Sequence, residues 1–197
     1  CPALSSVILG DSITTIGALA FNSCSSLTSI TLPNSVTTIE NNTFRNCSAL
    51  TSLTLPNSLT TIGDFAFRSC SSLASVTLPT SLTTIGSSAF FNCSSLTSID
   101  LPDSVTTIGS SAFFNCSSLT SIDLPNSLTN IGNGSFQDCT SLEEVIVAWQ
   151  TPITINSNVF SGVTLSDITL KVPEGKIATY EAAAVWTDFS PIVENIV

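Results

Sequence analysis

Residues 24–46 read CSSLTSITLPNSVTTIENNTFRN and residues 47–69 read CSALTSLTLPNSLTTIGDFAFRS, two copies of one unit laid end to end. Working outward from this pair, cysteine recurs at positions 1, 24, 47, 70, 93, 116 and 139, so a 23-residue period runs through six units without insertion or deletion. A fixed period of this length predicts a solenoid: each unit is a rung that cannot bury its apolar side alone, and stacked rungs share one continuous core. Within residues 24–46, Leu27, Ile30 and Leu32 are the inward positions of a short strand whose Ser29 and Thr31 alternate outward. Pro33 lacks an amide N–H and ends that strand, Asn34 and Ser35 supply turn chemistry, and Val36 and Ile39 turn back inward within a second short β-branched stretch, Thr37-Thr38-Ile39. Glycine usually follows (Gly17, Gly63, Gly86, Gly109, Gly132), which suits a positive φ or a tight corner, and Glu40 breaks the row. The segment from there to the next cysteine is too short for more than one helical turn and is expected to be 3₁₀ or irregular.

Two columns follow from the period. Phe21, Phe44, Phe67, Phe90, Phe113, Phe136 and, after a one-residue insertion, Phe160 are expected to stack as an aromatic spine at the convex edge. Cysteines in equivalent positions have parallel Cβ vectors and are odd in number, so they are expected to form a buried, reduced ladder rather than disulfides. With no histidine and no CxxC pair, neither a metal cluster nor a thiol nucleophile is expected, and no cofactor is implied.

The chain has 197 residues, of which 9% are charged, with 14 acids against 4 bases and a net charge of −10. That balance offers nucleic acid no basic footprint. No stretch approaches the roughly 18 apolar residues of a spanning helix, so membrane insertion is not expected. Cys1 is already in phase with the later cysteines, so the chain is expected to be a fragment of something longer, with its export signal and N-terminal cap lying outside it.

The pattern LxxIxL, PxS, VxxIG, xxAFxxC, as in LTSITLPNSVTTIENNTFRNC (27–47) and LTSIDLPDSVTTIGSSAFFNC (96–116), resembles the leucine-rich repeats of BspA-like surface proteins. The resemblance is close over 1–138 and looser over 139–175. It implies a right-handed leucine-rich-repeat solenoid, mainly β, with short parallel strands on the concave face and second strands and turns on the other sides. It also implies export to a bacterial surface or the extracellular space, as in Bacteroidetes and some protozoa, and adhesion to host matrix or plasma proteins or to other microbes. No catalytic residues come with it.

Domain boundaries are expected at six regular repeats over 1–138, degenerate repeats over 139–175 and a C-terminal cap over 176–197, all one continuous solenoid. In the degenerate part Ala148 stands for the proline and Val163 for the cysteine, while Leu170-Lys171-Val172 resembles a last strand. Ile177, Tyr180, Ala184 and Val185 predict a capping helix over 175–185, followed by Trp186, Phe189 and Ile192. Trp149 and Trp186 suit packing of the open end, with sugar binding as the alternative.

Two surfaces are candidates for function. On the concave face an outward row runs Thr31, Thr54, Thr77, Asp100, Asp123, which places Asp100 and Asp123 about 5 Å apart with Asp103 one turn away. A cation or a partner's basic side chain could neutralise these acids; a solvated acidic patch is the simpler account, and an open strand face lacks the enclosure a glycosidase pair needs. The residue after each spine phenylalanine forms the second row, with Arg45, Arg68, Phe91 and Phe114 as an apolar and cation–π patch on the convex edge. Sequons at Asn41, Asn46, Asn92, Asn115 and Asn133 are assigned to turn chemistry. The expected function is that of a non-enzymatic recognition scaffold for a protein partner. A carbohydrate-binding module and a structural spacer are the alternatives, and the oligomeric state is left open.

Overall fold

A computed structural model describes residues 1–195. The chain is a parallel β-solenoid in which two ladders of short strands share one core. The concave ladder holds β1 (Ser29–Thr31), β3 (Ser52–Thr54), β5 (Ser75–Thr77), β7 (Ser98–Asp100), β9 (Ser121–Leu124), β11 (Glu144–Val147), β12 (Thr169–Val172) and β13 (Ile192–Glu194). The second holds β2 (Thr38–Ile39), β4 (Thr61–Ile62), β6 (Thr84–Ile85), β8 (Thr107–Ile108) and β10 (Asn130–Ile131). Register follows the sequence period: Ser29 pairs with Ser52 and Thr38 with Thr61. The second ladder is continuous over its five strands, whereas the concave one is registered as β1–β3, β5–β7 and β9–β11–β12–β13. β3 lies beside β5, and β7 beside β9, without ladder pairing.

Leu27, Ile30, Leu32, Val36 and Ile39 are all buried, as their period demands, and the same positions are buried in the following rungs. The phenylalanine spine is present from Phe21 to Phe160, with successive rings stacked at centroid separations of 5.2–5.5 Å. All seven cysteines are free thiols, and Cys24 to Cys139 are buried. Each thiol from Cys47 onward donates to the carbonyl of the spine phenylalanine one rung back, as in Cys70 Sγ to Phe44 O at 3.2 Å. That bond gives the carbonyl a second donor beside the cysteine amide three residues on, as where Cys47 N also donates to Phe44 O. Cys1 departs from the ladder and is exposed. The first unit forms no registered strand over Ser6–Ile8; the Ile16–Ile39 bridge and Thr28 N donating to Ser5 O join it to the next rung, and Ile8 is 98% exposed.

The convex side is built of turns, in keeping with the expected 3₁₀ or irregular segment. Residues 41–46 are a run of turns in which alternate amides bond within the rung and to the next one. Thr43 N, Arg45 N and Cys47 N donate to Glu40 O, Asn42 O and Phe44 O, while Asn42 N, Phe44 N and Asn46 N donate to Asp64 O, Ala66 O and Arg68 O. Asn42 and Asn46 hold positive φ, as do their counterparts down the stack from Leu19 and Ser23 to Gly134 and Asp138. The corner glycine does not need that conformation. A Cβ on Gly109 would lie 2.4 Å from Ser87 N and 2.5 Å from Gly86 C, so glycine is required by the close approach of the preceding rung. Glu40 accordingly sits in its row without positive φ.

The serine expected to supply turn chemistry and the first threonine of the second strand both join rungs. Ser58 Oγ donates to Asn34 O and Val36 O at 2.6 and 2.8 Å, and Ser81, Ser104 and Ser127 repeat the contact. Thr60, Thr83, Thr106 and Thr129 each donate to the threonine carbonyl one rung back. The polar composition therefore serves the stack before it serves a surface.

The cap differs from the expected helix. The helix α1 spans only Ile177–Glu181, and Val185 has φ +70, which ends any helical continuation; Ala184, expected on the buried face, is exposed. The chain then adds β13, parallel to β12, as a final rung. Residues 196 and 197 of the expected cap lie outside the described residues. Trp149, Tyr180, Trp186 and Phe189 are buried, with Trp186 and Phe189 against Phe160 and with Trp149 and Tyr180 against Trp186. Tyr180 Oη donates to Trp149 O at 2.8 Å, Trp149 Nε1 to Leu128 O and Trp186 Nε1 to Ile153 O. Packing is thus their role, and the sugar-binding alternative fails because neither tryptophan presents a ring to solvent.

Candidate functional site

On the concave face Thr31, Thr54, Thr77, Asp100 and Asp123 are all exposed, with Thr31 opposite Thr54 and Thr77 opposite Asp100 in register. Asp100 and Asp123 occupy adjacent strands at the unregistered seam between β7 and β9. Partial burial raises the Asp123 pKa above the ordinary carboxylate value, with Asp103 and Asp100 adding repulsion in that order. The three acids therefore share one electrostatic neighbourhood. Among the described residues, however, no group of three or more His, Cys, Asp or Glu is arranged to hold a metal ion. The same face is closed toward the cap by Lys171, whose Nζ lies 2.8 Å from Glu144 Oε2.

The convex edge is more unusual chemically. The turn run places Arg45, Arg68, Phe91 and Phe114 in equivalent positions on consecutive rungs, all half-buried. Phe91 and Phe114 stack at 4.5 Å with their planes 7° apart. The Arg68 guanidinium carbon lies 4.3 Å from the Phe91 ring centre and 5.6 Å from that of Phe65. Cations held over aromatic faces in this way gain ~0.5–2 kcal/mol, depending on desolvation. Arg45 Nη1 donates to Asn42 Oδ1 at 3.3 Å, and its Nε is buried with no acceptor. Among the described residues the one ion pair is Lys171–Glu144, so neither arginine has a carboxylate partner. Lys171 and Lys176 are the only other bases, both beyond the regular repeats, which makes this edge the sole cationic feature of an otherwise acidic array.

Sequence reasoning missed the groove beside that row. The residues immediately after it, Asn46, Ser69, Asn92 and Asn115, line an axial groove of about 610 Å³ together with serines that follow the cysteines, such as Ser48 and Ser71. Their positive φ values of 53–62° turn the chain sharply here. Asn115 Nδ2 donates to Asn92 Oδ1 at 3.0 Å, so the amides form a column along the stack. The signal was present as a fixed-offset Asn/Ser row, but it had been assigned to turn chemistry alone. Phe65 was missed as well, because it occupies a position held by Asn42, Ser88 and Ser111 in other rungs.

Catalytic chemistry finds little support. Burial pushes the Cys47 thiol up to about 11 and Cys139 up to about 12, and raises Cys70, Cys93 and Cys116 as well, so these thiols stay neutral and inaccessible.

Comparison with known proteins agrees with this architecture. A family model described as a BspA-type leucine-rich-repeat region matches in six copies over residues 1–93 and 62–181. A solved Treponema pallidum leucine-rich-repeat protein is 40% identical, with a TM-score of 0.65 over 66% of this chain and 61% of its own. A leucine-rich-repeat protein from Bacteroides ovatus is 28% identical, with a TM-score of 0.61 over 83% of this chain and 54% of its own. A leucine-rich cell surface protein from Faecalibacterium prausnitzii shares the fold at 22% identity and TM-score 0.50, over 95% of this chain and 65% of its own. The chain thus spans less than two thirds of each of these structures. Among curated proteins none matches.

Proposed function

Because the chain belongs to the BspA-type leucine-rich-repeat family, we propose that it is a non-enzymatic recognition scaffold of the bacterial surface or extracellular space, which binds a protein partner through the convex edge of Arg45, Arg68, Phe91 and Phe114. The observation that carries this reading is the edge itself. Two unpaired arginines and two stacked phenylalanines sit on consecutive rungs of an array that is otherwise uncharged or acidic. Arginine and aromatic side chains are the types that concentrate binding energy at protein interfaces. The concave face, by contrast, offers threonine hydroxyls and an acidic seam, which give many weak polar contacts whose affinity rests on area and multivalency. The chain has no histidine, and its repeat thiols are buried, which supports the non-enzymatic reading. The surface location follows the family resemblance.

The test is a binding screen of the purified chain against arrays of host matrix, plasma and microbial surface proteins, with a glycan array alongside. This reading expects protein binding that is lost in the Phe91→Ser/Phe114→Ser variant. Binding to glycans with none to proteins would contradict it and favour a carbohydrate module. Silence on both arrays would contradict it in favour of a spacer, which near-identical rungs such as 93–115 and 116–138 would also suit.

A further inference from the structure

We infer that the convex edge and its axial groove take an extended acidic segment of the protein partner, in which a carboxylate residue is followed three positions later by an aromatic or large aliphatic residue. The inference rests on the protein-recognition reading above and adds the chemistry of the occupant.

The charge argument comes first. Arg45 and Arg68 occupy adjacent rungs, so their guanidinium groups emerge roughly 5 Å apart. Like charges at that spacing repel unless an anion lies between them, and neither has a carboxylate partner among the described residues. The Arg45 Nε is a buried donor without an acceptor. A carboxylate seated between the two side chains accepts from the outer nitrogens of both guanidinium groups, in the paired geometry arginine favours. In an array with a net charge of −10, this pair is also the one place in the repeats where an acidic segment is attracted rather than repelled.

Spacing comes next. The stacked Phe91 and Phe114 rings are half-buried, and their midpoint lies two rungs from the midpoint of the arginine pair. Two rungs are about 9.6 Å. In a polyproline II segment, residues i and i+3 project from the same side and are separated by about 9.3 Å. A β-strand places i and i+2 on one side at only about 6.6 Å, which falls short of the phenylalanines. An extended, proline-tolerant segment therefore spans from the guanidinium groups to the rings.

The groove accommodates the backbone of such a segment. It runs parallel to the stack directly beside the Arg/Phe row, and the Asn46, Ser69, Asn92 and Asn115 side chains line it. A polyproline II chain has no internal hydrogen bonds, so its amide and carbonyl groups need the kind of uncharged donors and acceptors that these side chains present. Groove and rim thus divide the work: the column of Ser and Asn holds the main chain, and the rim selects the side chains.

The test uses fluorescein-labelled synthetic peptides titrated into the full chain by anisotropy: one with an Asp-Pro-Pro-Phe core, one with the acid and aromatic a residue closer, and one with Lys in place of Asp. The core peptide should bind, and each altered peptide should bind roughly 10-fold or more weakly. Arg45→Gln/Arg68→Gln should abolish the preference for Asp over Lys, while Phe91→Ser/Phe114→Ser should abolish the preference for correct spacing. Equal binding of all three peptides, preferences unchanged in both double variants, or no binding of the core peptide overturns the inference, and so does a sulfated polysaccharide binding at the arginines where the peptide does not. If the protein array identifies a partner whose binding needs the edge but shows no such peptide preference, this inference fails and the recognition reading stands. If no protein binds at all, both fail.

Discussion

Replacing Gly109 by alanine tests why glycine recurs at the corner of each rung. The added Cβ would lie 2.4 Å from Ser87 N, 2.5 Å from Gly86 C and 2.8 Å from Gly86 O, all main-chain atoms of the neighbouring rung. To reach ordinary van der Waals separation the two rungs must part locally by roughly 1 Å. The hydrogen bond from Gly109 N to Ile85 O, 2.8 Å long, opposes that movement. Overpacking against fixed backbone belongs at the upper end of the ~1–3 kcal/mol range, and alanine recovers ~0.4–1 kcal/mol by restricting the unfolded chain, so the net loss should be about 2 kcal/mol. Gly17 is the control: a Cβ there meets nothing within 4 Å, and its φ is not positive. Gly17→Ala should therefore be neutral or stabilising by ~0.5 kcal/mol. Urea denaturation of both variants by circular dichroism measures the difference. Equal effects at the two positions would refute the close-approach account.

Three further outcomes are expected. Ellman's reagent should titrate one thiol, Cys1, in the native chain and all seven after unfolding; because burial raises Cys47 to about 11 and Cys139 to about 12, the stabilising effect of these two thiols is complete below the ordinary thiol value of ~8.5 and is lost as pH climbs through the folded values. Asp123→Asn should raise the melting temperature at neutral pH and leave it unchanged near pH ~3, since a raised carboxylate pKa means that the folded state favours the protonated form and loses stability as pH rises through it. Ala74→Thr should stabilise by ~0.5–1.5 kcal/mol in the same urea assay, because Thr51, Thr97 and Thr120 each donate a hydroxyl to the rung before and Ala74, at the unregistered β3–β5 seam, has none to give Thr51 O.

What could be read from the residues was whatever the period alone determines. Leu27, Ile30, Leu32, the phenylalanine spine and the cysteine ladder all face inward because a 23-residue repeat returns each to the same side of the stack. What could not be read depends on contacts between rungs. The corner glycine has two sufficient causes in sequence, and only the distance from Gly109 to Ser87 distinguishes them. Ser58, in a position read as turn, and Thr60, in a position read as second strand, give no sign in sequence of acceptors that lie 22 to 24 positions away. The first unit departs from the others at Gly10 and Ile8, where later rungs have Pro33 and Thr31, and Ser6–Ile8 forms no registered strand. At the other end, the expected helix yields to Val185 and β13 because covering the last rung requires another strand. For the candidate site, the Arg/Phe row was legible as a column, whereas the groove became visible only once the turns placed Asn46, Ser69, Asn92 and Asn115 along one line.

The most direct measurement is the affinity of the chain for a protein partner captured from the array, determined by biolayer interferometry for the wild type, for Arg45→Gln/Arg68→Gln and for Asp100→Asn/Asp123→Asn. Recognition through the convex edge predicts a loss of at least ~10-fold in the arginine variant and an unchanged affinity in the aspartate variant. Retained affinity in the arginine variant, with loss in the aspartate variant, would contradict it and move the working surface to the concave strands.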